Sequence, residues 1–458
     1  MRRPTILALF AVSPLLAFAC VGEDPVSAPP STTSEAGTSG GNDGSVGGND
    51  GGTTSDAPVG RTDVSGTVLT DFDAPVAGVV VRIEDATATT DANGKFTLKA
   101  NPSYDVTLVY PSSGTSSGKA VLVVQGVQAR TPTFRVEAGA DRQATSVTVN
   151  VTGGTLPLGA NEYVALLFAP TSHAASTGKF LLPGSVGSTT GTLSWRGDTP
   201  NTGDLYAYRF VTPKAGAPPT SITTSGKVAY SITENGTSTY NVTLSGSAGQ
   251  NIQGTIDFNG STASTLGYAI RTSGLHGLTT FDFAFTGTSF NLPLPGFLNA
   301  RGAVSASGKT ATGGTVTAWK TDIAGGTTNA ALRVPAGIDA KSPANGATGV
   351  DRATSFSWDK GSAEFGVYEL RVTCLAGFSV SYQASILTTN TAGALPDADG
   401  LGAPIPGNAG CSWTATALTA KGIDDLVTPA GWLRFTGLRF ATADGVSSIT
   451  ASRDFTTK

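Results

Sequence analysis

From Val64 to the end of the chain, apolar residues occur in short runs that alternate with polar residues and are separated by Gly, Pro, Asn and Asp. A period of two places every second side chain on one face of an extended strand, whereas a helix needs a period near 3.6. The 59 glycines, the single methionine and a charged content of only 14% do not suit long surface helices. The sequence therefore predicts an all-β fold of many short strands and turns.

The 458 residues are enough for roughly three to five domains of ordinary size. Turn-rich gaps divide the chain after residue 60 into four predicted β-sandwiches, which we call the first (61–137), second (140–247), third (248–336) and C-terminal (338–458) segments. The ends of the second and third segments resemble each other, because residues 229–244 and 317–334 both read as strand, turn and strand. This pattern indicates an internal duplication, although any two such units look alike, and 140–336 could instead be one domain.

The N-terminus has the sequence features of a signal peptide, which we assign to residues 1–19. Arg2 and Arg3 form a short basic region, an apolar run follows to Phe18, and small Ala19 precedes Cys20. The apolar run is too short for a comfortable membrane span, and Pro14 would weaken a helix there. Residues 20–60 consist of Ser, Thr, Gly, Asn, Asp and Pro with almost no large apolar residue, so they are predicted to form a disordered tether.

The stretch LLAFAC at residues 15–20 resembles the lipobox of bacterial lipoproteins. That resemblance implies that Cys20 carries a lipid on its thiol and becomes the mature N-terminus. An ordinary secretory signal followed by a chance cysteine is the alternative. The lipoprotein interpretation predicts an exported protein that is lipid-anchored to the outer membrane, on its periplasmic side or at the cell surface.

A second resemblance lies in the first segment. Gly66-x-Val68, the stretch APVAGVVV at residues 74–81 and Thr90-Asp91-x-x-Gly94-x-Phe96 resemble the carboxypeptidase regulatory-like domain, a small transthyretin-like β-sandwich. The resemblance implies a fold without catalytic activity. Asn93-Gly94 also predicts a hairpin turn, and a turn role for Asp91 competes with calcium ligation.

The C-terminal segment resembles the fibronectin type III and immunoglobulin-like modules of bacterial surface proteins. Its Ser-Pro-x-Asn-Gly entry at residues 342–346, an early Trp358 and the terminal stretch from Phe455 carry the resemblance. It implies a sandwich with Trp358 in the core.

If Cys20 is acylated, Cys374 and Cys411 remain as an even pair in the C-terminal segment. An oxidising compartment would join them into a disulfide. Two separately buried free thiols are the alternative.

The sequence offers no recognisable catalytic constellation. His173 and His276 are the only histidines, and no spacing of His and Cys fits a zinc site, so no metal and no cofactor is expected. With 29 Lys and Arg against 33 Asp and Glu and no basic block, nucleic acid is not an expected partner.

We therefore predict a non-catalytic, lipid-anchored envelope or surface protein with a binding, adhesive or structural role. Its expected partners are the lipid membrane, through Cys20, and a polysaccharide or protein of the cell envelope. One alternative is a carbohydrate-binding protein in which exposed tryptophans stack on sugar rings, although each tryptophan could equally belong to a core. The tryptophans are Trp195, Trp319, Trp358, Trp413 and Trp432. The other alternative is an exported hydrolase with an unrecognised site in residues 143–334.

Overall fold

A computed structural model describes most of the chain after residue 60. The described residues are 61–70, 74–101, 103–112, 115, 117–137, 141–170, 179–181, 187–196, 199–213, 217–271, 279–296, 300–429 and 444–458. These residues form an all-β structure, as the alternating pattern predicts. The predicted signal peptide and tether, including Cys20, lie outside the described residues. Within the described part of the chain, no helix is long and apolar enough to cross a membrane.

The first segment contains seven strands. They are β1 (Thr62–Thr70), β2 (Val80–Ile83), β3 (Ala86–Thr89), β4 (Lys95–Ala100), β5 (Tyr104–Pro111), β6 (Lys119–Val127) and β7 (Thr133–Val136). The second segment contains β8 (Asp141–Thr152), β9 (Glu162–Pro170), β10 (Lys179–Leu181), β11 (Ser188–Arg196), β12 (Asn201–Val211), β13 (Ser221–Ile232) and β14 (Thr237–Thr243). The third contains β15 (Ile252–Phe258), β16 (Thr262–Arg271), β17 (Thr279–Ala284), β18 (Ser289–Leu292), β19 (Arg301–Lys309), β20 (Thr315–Ala324) and β21 (Ala330–Val334).

The C-terminal segment is built differently. Its strands are β22 (Ala340–Ser342), β23 (Ala347–Val350), β24 (Phe356–Trp358), β25 (Val367–Ala376), β26 (Ser379–Thr388), β27 (Ala392–Gly393), β28 (Gly410–Leu418), β29 (Gly445–Ile449) and β30 (Arg453–Thr457). Two short 3₁₀ helices, Asp399–Leu401 and Ile423–Asp425, lie on either side of β28. A sheet of β22, β24 and β27 and a second sheet containing β26, β25, β28, β30 and β23 form this segment.

The first three segments share one strand order. In each, the first strand pairs antiparallel with the fourth and parallel with the seventh. The second strand pairs with the third and the fifth, and the fifth pairs with the sixth. We call this arrangement the seven-strand unit. The resemblance between 229–244 and 317–334 falls on the sixth and seventh strands of two such units, and the structure adds a third copy in the first segment.

The C-terminal segment is hydrogen-bonded to two of these units. Strand β26 runs parallel to β6, with Ala384 opposite Val121 and Leu387 opposite Val124. Strand β29 pairs antiparallel with β20 from Thr315 to Trp319. A single 14-stranded sheet therefore passes from the third segment through the C-terminal segment into the first.

Apolar cores cross the predicted boundaries in the same way. Leu122 and Val124 of β6 lie in the core of the first segment, and that core also contains Leu387 and Leu418 of the C-terminal segment. The alternate β6 residue Val123 instead joins a larger core shared by all four segments. Strand β6 is thus buried on both faces, which explains why its sequence is continuously apolar instead of alternating.

Strand β9 of the second segment is also buried on both faces. Leu166 and Phe168 lie in the core inside the second segment. Ala165 and Leu167 belong to the larger core, which also contains Tyr268 of β16. The second segment therefore packs one whole sheet face against its neighbours, and the segments share apolar contacts instead of standing apart on the chain.

The predicted hairpin at Asn93-Gly94 is wrong. A turn is present, since Gly94 has a φ of +69° and the Asp91 carboxylate accepts hydrogen bonds from the backbone N–H groups of Asn93 (2.8 Å) and Lys95 (2.9 Å). However, the turn joins β3 to β4, and these strands belong to different sheets. The Asp91 side chain reverses the chain between the two layers of the sandwich, which accounts for the Asn-Gly signal without a hairpin.

Candidate functional site

Several of the predicted site residues fall outside the described residues. These are the proposed lipid-attachment residue Cys20, both histidines, His173 and His276, and Trp432. The structure does describe the cysteine pair and the other four tryptophans, and the candidate site is therefore built from the C-terminal segment and its two junctions.

Cys374 and Cys411 occupy facing positions on β25 and β28. Their sulfur atoms are 2.05 Å apart, so the two residues form a disulfide across the sheet. Both are buried, Cys374 completely. The bond joins the strand that leads into the β25–β26 hairpin to the strand beside it.

The hairpin beyond this disulfide ends in an apolar tip, which we define as residues 375–380. Ala376 lies opposite Ser379, leaving a two-residue turn of Gly377 and Phe378. Gly377 has a φ of +63°, as the first central residue of a tight hairpin turn requires. Phe378 is fully exposed and Leu375 is 48% exposed. The hairpin tip thus presents two large apolar side chains to solvent in a position where polar residues are usual.

The surroundings of the hairpin tip are uncharged along the chain. Residues 372–396 contain no Asp, Glu, Lys, Arg or His, and neither do residues 400–420, which include the adjoining start of β28. Gly410 of β28 lies directly opposite Leu375. The hairpin tip itself is therefore uncharged and exposes apolar side chains, as a site that is buried against another apolar surface does. The charged residues Asp454 and Lys458 lie beyond β28, where β30 pairs with it.

A groove of about 260 Å³ lies where β20 and β21 of the third segment meet β29. Two ion pairs line it, between Lys320 and Asp444 (3.1 Å) and between Arg333 and Glu364 (3.5 Å). Trp319 lies against the backbone of Gly445, where a Cβ atom would approach the indole ring to 2.6 Å. Because the charges are paired and the indole is covered, we interpret the groove as the junction between the third and C-terminal segments and not as a ligand site.

The other junction depends on Asp424. Its carboxylate accepts hydrogen bonds from the backbone N–H groups of Gln128 (2.9 Å) and Ala129 (3.0 Å) in the first segment. The Tyr104 hydroxyl donates to the carbonyl of Ala129, and burial together with the negative charge of Asp424 raises the pKa of Tyr104. Asp424 therefore connects the C-terminal segment to the end of β6.

The described tryptophans are core residues. Trp358 and Trp413 are at most 2% exposed, and Trp195 and Trp319 at most 6%. The core position expected for Trp358 is confirmed, and it lies 5.9 Å from the Tyr368 ring, centroid to centroid. None of these four indoles offers an exposed face on which a sugar ring could stack.

In residues 143–334, the hydrolase alternative is tested by one partly buried ion pair, between Glu162 and Arg209. Arg209 of β12, which is buried, donates to Glu162 at 2.5 Å, and the N–H of Gly159 donates to the same oxygen at 2.8 Å. The hydrogen bond from Arg209 is the main reason that the pKa of Glu162 lies below its usual value. A general acid needs the opposite shift, so this pair has a structural role. Among the described residues, no group of three or more His, Cys, Asp or Glu could hold a metal ion.

Sequence reasoning missed both the hairpin tip and the role of Asp424. The tip had a readable signal, because Gly377-Phe378 places an aromatic residue in a turn between two strand-like runs. Asp424 had none, since its partners are backbone amides almost 300 positions earlier in the chain.

No protein-family model matches the chain, and neither does any curated protein sequence. The resemblance of the first segment to carboxypeptidase regulatory-like domains thus stays a resemblance.

Several solved structures share similarity with the chain at low identity. The Bacillus anthracis TIE protein matches 60% of this chain at 12% identity and a TM-score of 0.16, and the chain spans about half of that protein's length (50%). The shaft pilin SpaA from Lactobacillus rhamnosus GG matches at 11% identity and a TM-score of 0.14, over 41% of this chain and 98% of its own. The FN1–FN3 domains of chicken CNTN1 match at 9% identity and a TM-score of 0.15, over 84% of this chain and 99% of theirs. TM-scores this low carry no conclusion about function.

Proposed function

We propose that this chain is a non-catalytic, lipid-anchored protein of the cell envelope, in which the four segments act as one rigid structural or adhesive body. The observation that supports this proposal best is the continuous sheet that runs through the third, C-terminal and first segments. Main-chain hydrogen bonds between segments, together with cores shared across their boundaries, resist the bending that separate domains on linkers allow.

The anchor in this proposal is a lipid on Cys20, and the location is the outer membrane, facing the periplasm or the outside. The partner is a polysaccharide or a protein of the envelope. Burial of the described tryptophans gives no support to sugar stacking, and the paired state of Glu162 gives none to hydrolysis. A structural role is therefore preferred to the carbohydrate-binding and hydrolase alternatives.

Mass spectrometry of the protein purified from membranes tests the anchor. We expect the mature N-terminal peptide to begin at an acylated Cys20 and the protein to fractionate with the outer membrane. The Cys20→Ser variant is the control and should lose both properties. A soluble protein with an unmodified Cys20 would contradict the proposal.

Thermal unfolding of the full chain tests the rigid body. Because the cores of the first and C-terminal segments contain each other's residues, these segments should unfold together in one calorimetric transition. Separate transitions for the two segments would contradict the proposal.

Incubation with envelope polysaccharides and peptides, followed by mass spectrometry, tests for hydrolysis, and product formation would overturn the non-catalytic assignment.

A further inference from the structure

We infer that the hairpin tip, residues 375–380, inserts into the surface of a lipid bilayer and gives the protein a second membrane contact. This inference rests on the proposed function, because the lipid on Cys20 is what holds the chain beside a membrane. The inference goes further, because it assigns a membrane-facing surface to a folded part of the chain.

Exposure is the first reason. Phe378 and Leu375 are the two most exposed large apolar side chains among the described residues, and they lie three positions apart at the end of one hairpin. Both belong to the end of the same hairpin, so one contact at that end can involve both. In the part of the chain that the structure describes, Ile449 is the one other large apolar residue of comparable exposure, and it lies on β29 at the junction with the third segment.

The shape and charge of the tip favour a bilayer over a protein pocket. The tip is convex and rigid, because the two-residue turn is closed by the Ala376–Ser379 pair and the Cys374–Cys411 disulfide lies directly behind it. No charged residue lies within residues 372–396 or 400–420, so burial of the hairpin tip itself desolvates no charge. Asp454 and Lys458 come from the chain around β30, which lies on the far side of β28 from the hairpin.

The tether is long enough to permit this contact. The 40 residues that separate Cys20 from Arg61 span up to about 140 Å when extended. An inserted hairpin tip would add a second point of attachment to the lipid on Cys20, and two attachments hold a protein at a bilayer more firmly than one. An inserted hairpin tip would also fix the orientation of the rigid body relative to the bilayer, which a flexible tether alone cannot do.

A fluorescent probe on Ser379 tests the inference without removing Phe378. Ser379 is exposed, and in the acylated chain the Ser379→Cys variant carries the one free thiol, which is labelled with a polarity-sensitive dye. On reconstitution into phosphatidylcholine vesicles, we expect the emission to shift to the blue and to be quenched by nitroxide-labelled lipid. The same dye at exposed Thr97 (Thr97→Cys, on β4) is the matched control and should remain in water.

Adding Phe378→Ser to the labelled Ser379→Cys chain should raise the lipid concentration needed for the blue shift by roughly tenfold to a hundredfold, as the loss of one buried Phe implies. A chain that floats with the vesicles while the Ser379 probe stays in water overturns the inference and leaves the Cys20 anchor intact.

If the labelled protein does not float with the vesicles, the result contradicts the lipid anchor on Cys20. The insertion of the hairpin tip is then tested separately, by adding excess lipid and measuring the emission of the Ser379 probe. A blue shift at high lipid supports insertion, and its absence overturns it. A shift that occurs only with protein-containing envelope vesicles overturns it in favour of a protein pocket.

Discussion

Strands β6 and β13 are both the sixth strand of a seven-strand unit, yet their outer edges are used differently. The edge of β6 pairs with β26 of the C-terminal segment. The edge of β13 pairs with no further strand among the described residues. In the third copy, the equivalent β20 pairs with β29. The outer edge of the sixth strand is thus paired with a strand of the C-terminal segment in the first and third segments. In the second segment, the same edge has no strand partner among the described residues.

The difference is explained by a few groups that cover β13. The N–H groups of Ser245 and Gly246 donate to the Ser225 carbonyl at 3.0 and 2.8 Å. The Tyr240 hydroxyl accepts from the Ser231 N–H at 3.1 Å and donates to the Ser231 carbonyl at 2.6 Å. Lys227, between these two positions, is exposed. Blocking hydrogen-bonding groups and exposed lysines are common protections of edge strands against further pairing.

The comparison teaches that the strand order of a unit does not decide whether it joins a larger sheet. The sequence of the sixth strand and the chain that follows it make that decision. In β6 the run Val121-Leu122-Val123-Val124 is apolar on both faces, whereas β13 alternates between buried and exposed residues over much of its length.

Replacing Leu387 tests the junction at β6 most strongly. Leu387 of β26 is fully buried in the core of the first segment, so Leu387→Ala should cost about 4 kcal/mol of unfolding free energy. Hydrogen exchange should speed up in β6 as well as in β26, because both strands lose the same packing.

Leu193→Ala is the matched control, since Leu193 is equally buried in the second segment's own core. It should have a similar cost and leave β6 unaffected. Faster exchange in the C-terminal segment alone after Leu387→Ala would mean that the junction carries no stability.

Removing the disulfide should cost slightly less and act on the sheet that supplies β26. The bond closes a loop of 37 residues, for which the chain-entropy model gives about 3 to 4 kcal/mol. Denaturant unfolding of the Cys374→Ala/Cys411→Ala variant measures the loss. An unchanged unfolding midpoint, or a loss that appears equally in the second segment, would argue against a role for the bond in holding β25 and β28.

Asp424→Ala should weaken the same junction by about 1 to 3 kcal/mol, because two backbone N–H groups of the first segment lose their acceptor. Asp425→Ala is the control: Asp425 accepts from Lys421 within its own segment and should affect only local stability. Equal effects of the two substitutions would show that Asp424 does not connect the segments. Urea unfolding with exchange at Gln128 and Ala129 distinguishes these results.

Tyr240→Phe has the smallest expected effect and probes the covered edge of β13. Without the hydroxyl, the N–H and the carbonyl of Ser231 lose their hydrogen-bond partner, which should lower the unfolding free energy by about 1 kcal/mol. The edge of β13 should then pair with a second copy of the chain at high concentration. Analytical ultracentrifugation measures this association. Tyr163→Phe is the control, because the Tyr163 ring stacks on Phe210 at 5.6 Å and does not cover the edge. A Tyr240→Phe protein that stays monomeric would mean that other groups protect β13.

The sequence predicts strands with one buried face better than strands that are buried on both faces. Strands with one solvent face, such as β4, β15 and β21, alternate cleanly in burial, and period-two patterns reveal strands of this kind. The Cys374–Cys411 disulfide and buried Trp358 also match what the sequence predicts. The threefold recurrence of the seven-strand unit was not visible, because burial on different faces changes the pattern between equivalent strands.

Contacts across segments were beyond sequence reasoning for a physical reason. The pairing of β6 with β26 and the hydrogen bonds to Asp424 join residues more than 250 positions apart, and backbone groups carry no residue-specific signal. The four-residue apolar run in β6 does indicate a strand buried on both faces, but it does not identify what covers the second face.

Hydrogen exchange of the full chain, followed by mass spectrometry, tests most directly that the segments form one body through β6. Peptides covering β6 should exchange as slowly as those covering β25 and β26, and the middle of β13 around Lys227 should exchange much faster. If β6 instead exchanges as fast as β13, its outer edge is open in solution, and the continuous sheet does not hold the segments together.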